Sequence, residues 1–284
     1  MKTHDFEIVE QRTSGSPTLT QVTAWAGRTF CFDRVMPNIV AQVEPSNTHI
    51  VWLDNSKDQW FRKALLAHAE QFENFTLIED VSDKFDINPY MQGPDDAREM
   101  AHLKLGDKIY ATYEACFQQL LPSSLKTWVV EDDVEVPDDA LNRMADHLGS
   151  NHNIGTVAGR MLDRRSHEAG REETVVTEYD VQMTLGTMDS FTVRARNMHE
   201  ANRAPYVPKW GVQIVGSTHM GCWLAHSHLI RDPGIASRCD GIIACDNSWG
   251  WRIWKEKRMR VAVDWGIHCR HHYIDAQGRQ KVAE

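Results

Sequence analysis

An uninterrupted apolar run, Trp128-Val129-Val130, passes directly into three acids, Glu131-Asp132-Asp133, and then into Val134-Glu135-Val136-Pro137. Apolar residues without polar alternation belong to a strand covered on both faces. Its acidic end must then emerge at the edge of a site. Three adjoining carboxylates raise one another's pKa unless a cation lies among them. Carboxylate oxygens suit hard divalent ions, Mg²⁺ or Mn²⁺, which also grip phosphates. A solvated acidic turn after a core strand fits the same letters equally well.

The residues before this stretch alternate in period. Strands are expected over 21–26, 48–53 and 75–78, with helices over 33–43 and 59–72. In the first helix Val35, Met36, Ile39, Val40 and Val43 recur at helical spacing. A loop with Asn88-Pro89 and Gly93-Pro94 follows, then a long helix or broken pair over 95–120 that Pro122 stops. Residues 1–20 read as a polar lead-in. Strand–helix alternation at this spacing predicts a parallel sheet with crossover helices. Ligands of such sheets bind beyond the carboxyl ends of the strands, and Asp54 and Glu131–Asp133 share that rim.

Beyond Pro137 the pattern is looser. A helix is expected over 138–148, strands over 153–159, 175–185 and 191–195, and an interrupted strand over 213–224. A Trp-rich helix over 247–257 precedes a last strand over 259–263. Residues 160–175 and 196–211 read as charged loops. The expected whole is a single domain, with a nucleotide-binding half over about 20–150 and an acceptor-binding half over about 151–284.

Charge divides along the same line. Residues 1–150 hold 13 Lys/Arg against 25 Asp/Glu, and residues 151–284 hold 18 against 15. A net charge of −9 argues against a general nucleic-acid binder. The mildly basic second half, with six of the ten tryptophans, suits an anionic or stacking partner. No run approaches the ~20 apolar residues of a membrane helix, and the first residues lack an apolar signal core. The six cysteines show no Cys-x-x-Cys spacing, so a cytoplasmic setting with reduced thiols is expected.

Four stretches together resemble glycosyltransferases of the GT-A fold, closest to the large family-two-like group. Val51-Trp52-Leu53-Asp54-Asn55-Ser56-Lys57-Asp58 resembles that group's strand-end signature. Lys104-Leu105-Gly106 stands where many members have Asn-x-Gly. Glu131-Asp132-Asp133 resembles the Asp-any-Asp motif, with Glu in the first place. Asp246 opening a helix, then Asp264 and His271, resembles the C-terminal acid-plus-His arrangement. The match spans about residues 20–272.

The resemblance implies an α/β fold of GT-A type, with a Rossmann-like, mostly parallel central sheet, flanking helices and a smaller mixed C-terminal part. It implies a metal-dependent, inverting transfer of a sugar from a nucleotide-sugar donor, a UDP-sugar first, to an acceptor hydroxyl. Asp133 and His271 would hold Mn²⁺ or Mg²⁺, with His268 and His272 competing on spacing. Asp132 would face the ribose or the ion. Ala26, Arg28, Asp54 and Lys104 would contact the nucleotide, Arg28 along the base or at a phosphate. Asp246 would be the general base, although Asp before Asn-Ser-Trp also makes a good helix N-cap.

Trp210 and Trp249 would form an acceptor platform, since indole faces stack on sugars and on exposed bases. A phage-type enzyme acting on hydroxymethylated DNA would need its target base exposed. The letters do not separate a glycan from such DNA. Competing readings are a sugar nucleotidyltransferase, a metal-dependent phosphoester hydrolase and a binding protein without activity.

Overall fold

Alternate residues of the central strands enter two different cores. Ile50 and Trp52 lie in one, Val51 and Leu53 in the other, and all four are fully buried. Trp128 and Val130 divide from Val129 in the same way. A strand apolar on both faces needs cover on both, which is why these runs lack polar alternation. Each fully buried side chain of this size contributes about 1.5–3 kcal/mol.

The computed structural model describes residues 5–82, 107–161, 176–178, 211–218, 221–232, 245–275 and 277–283; for 176–178 and 245–248 the description is of backbone. The order is β1 (Phe6–Arg12), β2 (Leu19–Trp25), α1 (Thr29–Val40), β3 (Thr48–Asp54), α2 (Gln59–Ala69) and β4 (Asn74–Asp80). A helix over residues 107–117, α3, precedes β5 (Lys126–Val130), β6 (Val134–Glu135), α4 (Ala140–Ser150) and β7 (Ile154–Met161). Then come β8 (Val176–Glu178), β9 (Val212–Thr218), β10 (Cys222–His226), α5 (Ser227–Arg231), α6 (Cys245–Lys257), β11 (Arg260–Ile274) and β12 (Gln280–Ala283).

The sheet runs β1-β4-β3-β2-β5-β10-β7-β11-β9-β8. Strands β4, β3, β2 and β5 are parallel, as are β7 and β11, and β10 lies antiparallel between β5 and β7. This is the α/β arrangement expected, a mostly parallel central sheet flanked by helices, with a mixed part built around β11. Helices α1, α2 and α4 cover one face through Met36, Leu65 and Met144. Helices α3, α5 and α6 cover the other through Cys116, Leu229 and Ile253. An added Cβ at Gly250 would meet the Gly216 carbonyl oxygen at 2.2 Å, so α6 rests directly on the β9 backbone. Among the described residues no helix is long and apolar enough to cross a membrane.

Three expectations need correction. The N-terminal lead-in contains β1, an edge strand antiparallel to β4. The single strand expected over 213–224 is two, β9 beside β11 and β10 between β5 and β7. The last strand does not stop at residue 263: β11 continues to Ile274, past a break in its β7 register between Asp264 and His268. At Asp264 an acid, which normally ends a buried run, lies inside one. Here it is buried and paired with Arg143 at 2.8 Å and His147 at 3.0 Å, both from α4.

Candidate active site

The extension of β11 builds the site. Past the rim it pairs with β6, setting Arg270 opposite Glu135 and His271 opposite Val134. The His272 amide donates to the Asp133 carbonyl at 2.8 Å, and His272 Nε2 lies 2.9 Å from Glu135 Oε2. The C-terminal histidines therefore reach the acidic tip of β5. His271 Nε2 stands 3.4 Å from Asp133 Oδ2. Spacing left three histidines open, and the register separates them: His272 is engaged with Glu135, and His268 is exposed opposite Arg160.

The end of β2 closes on the tip from the other side. The Ala26 amide donates to Asp132 Oδ2 at 2.7 Å. The Arg28 guanidinium donates to Asp132 Oδ1, and the same nitrogen, Nη1, lies 2.9 Å from Asp133 Oδ2. Cys31 Sγ contacts the Asp132 carbonyl at 3.4 Å. Gly27 makes this turn possible: its φ is +79°, and a Cβ there would sit 2.7 Å from Ser56 Cβ. Asn38 on α1 exchanges two hydrogen bonds with the Val136 backbone, at 2.8 and 2.9 Å, and fixes the segment leaving the tip.

Burial pushes the Glu131 and Asp132 carboxyls up, with the Asp133 charge adding to both, although Arg28 opposes it. Burial acts on Asp133 too, but its hydrogen bond to His271 and the Arg28 charge prevail and hold it below the usual carboxylate range. Burial also pushes the Cys31 thiol up to about 12, so it is no nucleophile. Asp133 Oδ1 is buried without a hydrogen-bond partner.

That donor set suits a divalent ion. The Asp133 carboxylate and the His271 imidazole facing its Oδ2 are the two protein groups that could hold such an ion. Among the described residues no group of three or more His, Cys, Asp or Glu is placed to hold a metal ion. Two ligands fit an ion that takes its other oxygens from phosphates and water, the usual habit of Mg²⁺.

The other expected residues fall variously. Asp54 is on the rim and buried; its Oδ1 accepts from the Ser56 amide at 2.8 Å and the Ser56 hydroxyl at 2.5 Å. Its Oδ2 lies 3.5 Å from Arg62 Nε and takes no hydrogen bond. Asp246 is the second residue of α6 as described, given by its backbone. Trp249 is not on an open platform: it is 6% exposed, tilts against Trp223 and donates to Thr156 Oγ1 at 2.9 Å. Lys104, Trp210 and most of the basic loops lie outside the described residues. Sequence reasoning missed Gly27, Cys31 and the Glu135–His272 pair. The alternation Val134-Glu135-Val136 was the one signal for a strand there.

No family model matches the chain, and no curated protein matches it. Among solved structures it is similar to the mannosyltransferase PcManGT from Pyrobaculum calidifontis in complex with GDP-Man and Mn²⁺ (TM-score 0.48, 12% identity, 98% of this chain and 62% of that one). It is similar to S. aureus TarS 1-349 in complex with UDP-GlcNAc (TM-score 0.48, 10% identity, 88% and 58%). A197 from STIV aligns with TM-score 0.42 and 7% identity over 94% of each chain. The chain spans less than two thirds of the TarS and PcManGT chains.

Proposed function

We propose that the protein is an inverting, metal-dependent glycosyltransferase that takes its sugar from a nucleoside-diphosphate donor. The observation that carries this reading is the meeting of Asp132, Asp133, Arg28 and His271 at the carboxyl rim of the parallel strands. Phosphate-bearing ligands of α/β sheets bind at that rim, and an anionic leaving group needs positive charge there as its bond breaks.

Asp133 and His271 would hold the ion, which when bound supplies Lewis-acid stabilisation to the departing diphosphate. Arg28 adds a guanidinium within reach of phosphate oxygens. Asp54 Oδ2, which lacks a hydrogen bond, is offered to a base N–H such as that of uracil, and Lys104 to a phosphate. Asp246 takes the proton of the acceptor hydroxyl. The hydroxyl oxygen bonds to the anomeric carbon while the carbon–phosphate oxygen bond breaks, and its electron pair leaves with the diphosphate. Attack from the face opposite the phosphate inverts the centre. The acceptor we favour is a hydroxylated molecule bearing negative charge, a phosphorylated glycan or DNA with a hydroxymethylated base. The basic excess of residues 151–284 supports an anionic acceptor.

Incubation with a panel of UDP- and GDP-sugars plus Mn²⁺, followed by product analysis, tests this. The expected product is a nucleoside diphosphate whose release rises with added hydroxyl acceptors. Release of sugar phosphate and nucleoside monophosphate, indifferent to acceptor, would assign a hydrolase instead.

A further inference from the structure

We infer that Arg28 holds the cation position of the donor-free protein, so that the divalent ion enters only as a donor diphosphate draws Arg28 away. The inference rests on the metal-dependent reading above and adds an order to it. One guanidinium nitrogen, Arg28 Nη1, touches carboxylate oxygens of both Asp132 and Asp133. Its contact on Asp133 is Oδ2, the oxygen that also faces His271 Nε2 at 3.4 Å. An ion ligated by that oxygen and that imidazole would have to take the place of Nη1.

The partners differ in freedom. The Asp132 and Asp133 side chains are 2% and 8% exposed, whereas that of Arg28 is 39% exposed. Asp132 is further pinned by the Ala26 amide, and the Asp133 backbone by His272. Arg28 caps α1 through its backbone position and makes no capping bond with its side chain. The guanidinium is thus the more exposed partner and the one that moves, while the carboxylates stay. A diphosphate offers it bidentate, charge-assisted partners of the same strength as those it gives up.

The consequence is a coupling. Apparent metal affinity in the absence of donor is lowered by the fraction of molecules in which the carboxylates are open. By linkage, donor diphosphate and ion strengthen each other's binding by the same factor. Removing the competing nitrogen should raise metal affinity without nucleotide and shrink the coupling.

The test is Mn²⁺ binding to the full chain, read from the free-ion electron paramagnetic resonance signal, with and without UDP or GDP. Arg28→Gln should bind Mn²⁺ about tenfold or more tightly than wild type in the absence of nucleotide. UDP or GDP should tighten Mn²⁺ binding to wild type far more than to the variant. Arg62→Gln removes a rim charge that touches Asp54 and Glu79 instead, and should leave Mn²⁺ affinity within about threefold of wild type. Melting curves accompany each variant; should Arg28→Gln fail to fold, Arg28→Lys carries the test, with a smaller shift in the same direction. Equal Mn²⁺ affinity in wild type and the Arg28 variants, or an equal rise for Arg62→Gln, overturns the inference and leaves the metal reading standing. Absence of Mn²⁺ binding to every protein, nucleotide present or not, overturns both.

Discussion

His271 Nε2 lies 3.4 Å from Asp133 Oδ2 because β6 and β11 pair just beyond the rim of the sheet. The short ladder, not the loop geometry around it, brings the tail of the chain to the acidic tip. His271→Ala should therefore weaken Mn²⁺ binding about tenfold to a hundredfold with little loss of fold. His272→Ala, which breaks the part-buried contact to Glu135, should lower the melting temperature and affect the ion less. Paired metal titrations and thermal melts of the two variants check the difference.

Asp246→Asn keeps the size and capping ability of the side chain while removing its basicity. Turnover should fall about a hundredfold or more, with donor affinity nearly unchanged. A proportional loss of donor binding, measured by calorimetry beside steady-state kinetics, would assign Asp246 to helix capping.

Gly27→Ala meets two obstacles at once, a φ of +79° and a Cβ 2.7 Å from Ser56 Cβ. The left-handed conformation alone costs about 1–2 kcal/mol for a residue with a side chain. Displacement of the turn would also move the Ala26 amide off Asp132. Chemical denaturation should show that loss, and nucleotide titration should show weakened binding even at temperatures where the variant is folded.

His49 gives the fold a pH dependence remote from the site. Burial pushes its imidazole down to about 4, and its Nε2 lies 3.0 Å from Thr76 Oγ1. The unfolded chain takes up this proton near pH 6.5, the native state only near pH 4. The contribution is complete above about pH 6.5 and is lost as pH falls through that window, by about 3 kcal/mol at most. Denaturation curves of wild type and His49→Gln at pH 7 and pH 4.5 should converge in their pH dependence if another group is responsible, and diverge if His49 is.

The letters revealed the first half of the fold well because its strands carry their own cover signals. Thr48–Asp54 and Lys126–Val130 are apolar on both faces, and the helices between them keep the 3.6 period. The failures came where a partner distant in sequence decides. Asp264 looked like a strand end because Arg143 and His147, which neutralise it, are on another element. Yet Trp265, Ile267 and Cys269 are buried and alternate with exposed Gly266, His268 and Arg270, so the continuing strand was written in period two. β1 escaped because an edge strand with most of its side chains exposed has no pattern to show. The acidic tip and His271 were legible as residues. Their cation was not, since nothing local says that Arg28 turns back onto Asp132 and Asp133 instead of reaching outward.

Calorimetric titration of UDP- and GDP-sugars, with Mn²⁺ and then with EDTA, on wild type and Asp133→Asn probes the central claim most directly. The account predicts that one nucleotide class binds wild type with Mn²⁺, and that chelation or the substitution each weaken it about a hundredfold or more. Equal binding in all four conditions would contradict an ion held at Asp133 between the chain and the donor's phosphates.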